Sequence, residues 1–188
     1  MAELTKGYIC SCCGKFHNKL PFDYASPAPI YYEEATRKER KKRFEINDDL
    51  CVMDGEHFFI RGCIEIPVID SDETFVWGVW VSLSEKNFEL TLEHWDDPDC
   101  EKLDPMFGWL STQLPLYPDT LNLKTFVHTR SVDLRPYIEL EPSDHPLAKE
   151  QREGITMDRV KEIAQFFCNN SPSEKSVLNL FRKKKRTK

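Results

Sequence analysis

Three of the chain's seven cysteines fall together near the amino end, in Tyr8-Ile9-Cys10-Ser11-Cys12-Cys13-Gly14-Lys15-Phe16-His17. Cys10 and Cys13 form a Cys-x-x-Cys pair, the spacing at which two thiolates reach one tetrahedral ion. Gly14 follows where a zinc knuckle needs a left-handed turn. His17 is placed as a third ligand, and the fourth would come singly from Cys12, Cys51, Cys63, Cys100 or a distant histidine. The chemistry expected is a structural zinc site stapling an arm with little core of its own. A catalytic zinc would need an open position and a nearby base. The competing reading is a set of ordinary thiols. A redox pair fits less well, because the prolines after His17 break the strand-to-helix context of a thioredoxin-like motif.

Two further stretches carry reactive residue types. In Arg61-Gly62-Cys63-Ile64-Glu65 an arginine, a thiol and a carboxylate alternate on one face of an expected strand. A cation beside the thiol could lower its pKa, but a mid-strand cysteine reads more simply as a small apolar residue, with Arg61 and Glu65 paired across the face. In Asp144-His145-Pro146 the histidine sits beside an acid at an expected helix start. There Asp144 is read as the cap and Pro146 as the first helical residue. No Gly-x-Ser-x-Gly, His-Glu-x-x-His, phosphate-cradling glycine loop or dinucleotide fingerprint occurs, and no catalytic residue can be named.

The elements that must position these residues follow from periodicity. The prolines from Leu20 to Pro29 predict an extended arm to about Tyr32, followed by a helix from Glu33 to Phe44. Leu50–Met53, the Asp54-Gly55 turn and His57–Val68 read as a hairpin. Phe75–Leu83 is apolar on both faces and so reads as a central strand of a covered sheet. Ser84 caps a short helix through Leu92, an acidic loop follows, and Phe107-Gly108-Trp109-Leu110 is expected to begin another short helix. Strands at Leu123–Thr129 and Tyr137–Leu140 precede helices at His145–Glu153 and Thr156–Phe167, the first ended by Gly154. The expected fold class is α+β: one domain over residues 1–170, an antiparallel sheet with helices mainly on one side, a zinc-knuckle-like arm at 8–32, and a mobile basic tail at 171–188.

Composition narrows the function. The chain has 188 residues, 40% of them apolar, and no apolar run of membrane-spanning length. A non-secretory amino end and an odd cysteine count fit reduced thiols in the cytoplasm. Lys+Arg number 26 against 32 Asp+Glu; six of the basic residues are Arg182, Lys183, Lys184, Lys185, Arg186 and Lys188, leaving 20 against 32, or −12, in the body. Such a body suits a basic protein partner and repels nucleic acid; a basic run at Arg37–Arg43 reads as a solvated helix face.

Several blocks together resemble a bacterial family catalogued as domain of unknown function 2199. They are Cys10-x-x-Cys13-Gly14-x-x-His17, Phe59 to Pro67, Trp77 to Ser84, Phe107 to Leu110, Leu116 to Leu121 and Glu139 to Ala148. The resemblance implies a stand-alone cytosolic bacterial protein and brings no activity and no catalytic residues with it. The function expected is a non-enzymatic macromolecule-binding protein, of which an immunity-type blocker of a basic toxin is one version. The alternative is an enzyme using Cys10, Cys13 and His17, or Cys63, as a metal or thiol centre. Nucleic-acid binding through Arg37–Arg43 and the tail is the third reading.

Overall fold

The structure is a computed structural model that describes residues 8, 9, 14, 16, 17 and 19–170, with backbone alone at 8, 9 and 17. Cys10, Cys12, Cys13 and the basic tail at 171–188 lie outside the described residues. Two compact units divide the chain, one of them Phe22–Met157, the other comprising Met1–Pro21 and Asp158–Lys188. In the second unit, β1 (Tyr8–Ile9) pairs antiparallel with β2 (Phe16–His17), Tyr8 opposite His17. Between these strands Gly14 takes φ +65°, the left-handed conformation expected of it.

The Phe22–Met157 unit contains β3 (Asp23–Ala25), α1 (Ile30–Glu34), α2 (Arg37–Arg43), β4 (Phe44–Ile46), β5 (Leu50–Met53), β6 (His57–Pro67), β7 (Thr74–Leu83), α3 (Glu85–Glu93), β8 (Met106–Leu110), β9 (Lys124–His128), β10 (Tyr137–Leu140) and α4 (Pro146–Glu153). A last helix, α5 (Met157–Asn170), follows with Val160, Ile163 and Ala164 buried. The arm expected to stay extended to Tyr32 instead contributes β3, parallel to β7, and α1. The single helix expected over Glu33–Phe44 is two. α1 ends at Ala35, and Thr36 starts α2 with a capping box, its hydroxyl accepting from the Glu39 N–H while the Glu39 carboxylate accepts from the Thr36 N–H.

Strands β6 to β10 are a five-stranded meander, each antiparallel to the next, and β10 closes back on β6 to make a barrel. An odd number of alternating strands leaves the last running in the same direction as the first, so this closing pair is parallel. The open antiparallel sheet with helices on one side is thereby corrected. Closure satisfies both edges and lets one face fill an interior. Ile60, Ile64, Ile66, Phe75, Trp77, Val79, Val81, Leu110, Val127 and Ile138 share that inner face by register and are fully buried. At about 1.5–3 kcal/mol for each large apolar side chain, this interior is the main source of the unit's stability.

The apolar outer face of β7, read as a second covered face, is explained by a smaller core outside the barrel. Trp80 and Phe59 pack with Cys51 there, and Phe44, Ile46 and Met53 of the β4–β5 hairpin cover them. Trp77 and Trp80 are thus both packing residues. The Asp54-Gly55 turn falls where expected, with positive φ at both residues. The expected helix at Phe107–Leu110 is corrected to strand β8. Its burial alternates residue by residue, and Gly108 lets β8 approach β7 so closely that a Cβ there would lie 2.5 Å from the Ser82 carbonyl oxygen. At α4 the cap is His145, whose Nδ1 accepts from the Leu147 N–H at 3.2 Å, while Asp144 pairs with Lys149 at 3.0 Å.

Candidate functional site

The closing pair of the barrel is short. β6 gives the first half of one edge to β5, Leu50 lying opposite Ile60, and the second half to β10, which meets it in register at Tyr137 and Cys63 alone. Between these partners the Arg61 N–H donates to the Asp49 carbonyl and the Cys63 N–H to the Pro136 carbonyl, each at 2.8 Å. The incoming segments are tied together by Arg135 Nε and Asp49 Oδ1 at 2.7 Å. Further along, where β10 diverges from β6, the side chain of Gln151 on α4 completes the ladder. The Leu140 N–H donates to its Oε1 at 2.8 Å, and its Nε2 donates to the Ile138 carbonyl at 2.7 Å.

Outward side chains of β8, β9, β10 and β6 form one continuous surface across this seam. At one end, Phe107 and Trp109 stand about 40% exposed with ring centroids 5.1 Å apart and near-perpendicular planes, and Phe126 lies 6.1 Å from Phe107. Lys124 pairs with Glu141 at 3.2 Å, and the His128 ring contacts Glu139 at 2.8 Å and Tyr137 at 5.6 Å between centroids. At the other end, Arg130 Nη1 donates to Glu65 Oε1 at 2.7 Å and its Nε to the Arg135 carbonyl at 2.9 Å. Its guanidinium stands 5.9 Å over the Tyr137 ring. Arg130 lines two cavities. An open one of about 510 Å3 over the seam includes Glu65, His128, Tyr137 and Gln151; one of about 430 Å3 on the far side is rimmed by Trp95, Val132 and Leu134. The loop carrying Arg130 is pinned by Cys100, whose Sγ donates to the Arg130 carbonyl at 2.8 Å and whose carbonyl accepts from Thr129 Oγ1 at 2.5 Å.

Arg61, Cys63 and Glu65 do share one face, but the expected Arg61–Glu65 pair is absent. Residues four apart on a strand stand about 13 Å apart, beyond ion-pair reach. Glu65 takes Arg130, and Arg61 Nη1 reaches the Asp48 carbonyl at 3.2 Å. Burial pushes the Cys63 thiol up, outweighing the opposing pull of Arg130, and burial alone lifts Cys51 to about 12. Both thiols are therefore protonated at neutral pH, the unreactive form. Alkylation by iodoacetamide at pH 7.5 is expected to be much slower at Cys51 and Cys63 in the folded protein than in urea. Equal rates would show that neither thiol is shielded. For Cys51 the folded pKa exceeds the unfolded one, so its contribution to stability is intact below about pH 9 and is lost as pH rises toward 12.

Of the proposed zinc ligands, Cys10 and Cys13 lie outside the described residues and His17 is described in backbone alone, in β2. Among the described residues no group of three or more His, Cys, Asp or Glu is placed to hold a metal. Residues that sequence reasoning passed over are Arg130, Tyr137, His128, Phe107 and Trp109. For the last two the one signal available was Gly108 between them, a residue that marks a close strand contact.

Residues 9–155 match the profile of a family described as an uncharacterized protein conserved in bacteria, DUF2199. The chain belongs to this family. The match runs from β1 through the barrel and α4, so the seam and its outer surface lie within the DUF2199 region. No curated protein and no solved structure matches the chain. Among the described residues no helix is long and apolar enough to cross a membrane.

Proposed function

We propose that this DUF2199 chain is a non-enzymatic binding protein of the bacterial cytoplasm, which captures a basic protein partner on the outer face of β8, β9 and β10, as an immunity protein blocks a toxin. The observation that carries this reading is the exposed Phe107–Trp109 pair on a rigid sheet face, continuous with Phe126, Tyr137 and Arg130. Trp, Tyr and Arg dominate the energetics of protein interfaces, and a preformed strand face loses little entropy on binding. The body's balance of −12, left when the six terminal cations are set apart, would speed encounter with a basic partner. Protonated thiols at Cys51 and Cys63 weigh against a thiol-dependent enzyme.

The reading is tested with the full-length protein as bait in a lysate of its source cell. A basic protein is expected to be retained at low salt by the wild type, released at 0.5 M salt, and bound at least tenfold less by a Phe107→Ala/Trp109→Ala variant. Retention of nothing basic, or equal retention by both baits, would reject it.

We also propose that Cys10, Cys13 and His17 hold zinc as a structural staple of the β1–β2 hairpin. The Cys-x-x-Cys-Gly spacing and the left-handed Gly14 support this. Untagged protein is expected to carry near-stoichiometric zinc and to melt lower after chelation, with Cys13→Ser lacking the metal. Wild-type protein purified without zinc, and indifferent to chelator, would sink the idea.

A further inference from the structure

Three segments enclose the cavity of about 430 Å3 beside the Arg130 loop: the end of α3 with the turn after it, the stretch from Thr129 to Pro136, and Asp49 between β4 and β5. Its floor is closed, since Thr91, Cys100 and Pro136 are buried. Its rim is not. Trp95, Val132 and Leu134, all lining it, are 40, 39 and 58% exposed. Apolar side chains held open to water around a concavity mark a ligand site, and the volume lies within the roughly 300–1,000 Å3 of small-molecule pockets. Most of the polar groups in the wall are already spent. Cys100 Sγ and Thr129 Oγ1 donate to the Arg130 and Cys100 carbonyls, and Thr91 Oγ1 donates to the Asn87 carbonyl at 2.9 Å. Arg130 faces Glu65 and Arg135 faces Asp49, each at 2.7 Å, so both guanidinium charges are countered at contact distance. His94 is held by Asp97 at 3.0 Å. Asp96 and Asp133 differ: among the described residues no cation and no N–H engages either carboxylate. A ligand therefore meets two uncompensated negative charges beside an indole ring and aliphatic side chains.

We propose that this cavity binds a small organic cation, a protonated amine carried on an apolar body, with the body against Trp95, Val132 and Leu134 and the ammonium group held by Asp96 and Asp133. Carboxylates attract the charge, an indole is the strongest aromatic partner a cation has, and the apolar rim is covered when the body enters. The site uses none of the outward aromatic residues of β8, β9 and β10, so it goes beyond the capture of a basic partner and stands or falls separately from it.

The test follows the indole N–H signals of the four tryptophans of the full chain by NMR at pH 7.5, with Trp95→Phe assigning the signal of Trp95. Titration with phenethylamine, protonated at this pH, is expected to move the Trp95 signal along a saturable curve and to leave those of the buried Trp77 and Trp80 in place. Phenethyl alcohol keeps the aromatic body without the charge and should need at least fivefold more to reach half-saturation, while the anion phenylpropionate should not saturate. Asp96→Asn/Asp133→Asn is expected to raise the half-saturating concentration of the amine at least fivefold, and Glu45→Gln, on the exposed side of β4, to leave it unchanged. Both aspartates are exposed, and undisturbed Trp77 and Trp80 signals will show that the double variant is folded. Should it fail to fold, the comparison of amine with alcohol on the wild type carries the test. No saturable shift of Trp95 with the amine, the same half-saturation for amine and alcohol, or the same half-saturation for wild type and folded double variant overturns the proposal.

Discussion

Replacing Gln151 by leucine is expected to cost roughly 2–5 kcal/mol of stability, although leucine is nearly the size of glutamine and the site is buried. The buried amide of Gln151 stands in for a strand. It accepts from the Leu140 N–H and donates to the Ile138 carbonyl and the Tyr137 hydroxyl, at 2.8, 2.7 and 3.2 Å. A leucine leaves both backbone groups buried without partners, at about 1–3 kcal/mol each. For a chain of this size, 1 kcal/mol corresponds to about 2–4 °C, so the midpoint should fall by roughly 4–20 °C. A loss under about 1 kcal/mol in thermal or urea unfolding would mean that water reaches those groups and satisfies them.

The second large effect is expected at Gly62, on the other side of the same seam. A Cβ there would lie 2.5 Å from Ile138 Cδ1 and 2.8 Å from the Pro136 carbonyl oxygen, and the latter is backbone that cannot turn aside. Gly62→Ala must therefore spread β6 from β10, at about 3 kcal/mol or more. Gly55→Ala provides the contrast. Its φ of +71° gives it strain but its surroundings are open, so about 1 kcal/mol is expected. A Gly62→Ala protein as stable as Gly55→Ala would remove the steric argument. Because Gly62 and Gln151 brace one junction, their double variant should lose measurably less than the sum of the single losses.

What could be read from sequence alone was local. The β5–β6 hairpin, the Ser84 cap, Gly154 at the end of α4 and both faces of β7 follow from turn residues and alternation, which operate over a few neighbours. Barrel closure is different, because it joins Cys63 to Tyr137 with no motif at either end. The partners of the candidate surface were lost for the same reason. Proximity in sequence pairs Glu65 with the nearest arginine on its own strand, whereas its actual partner, Arg130, comes from a distant loop. Phe107–Leu110 misled in another way, since four residues are too few to tell period 2 from period 3.6, and only Gly108 hinted at the close strand contact that the structure shows.

The parallel closing pair also sets an order of events. β6 and β7 share ten paired positions and are neighbours in the chain, so their hairpin forms at small loop-closure cost. The β10–β6 junction must wait until every intervening strand has been laid down, and it gains little pairing when it forms. Its contacts are expected to form after the rate-limiting step, in which case loss of Gln151 accelerates unfolding and leaves refolding nearly unchanged; a slowed refolding limb would place the junction in the transition state instead. In native protein the same junction is expected to part first, so that the amides of Cys63 and Leu140 exchange with deuterated solvent well before those in the middle of β7.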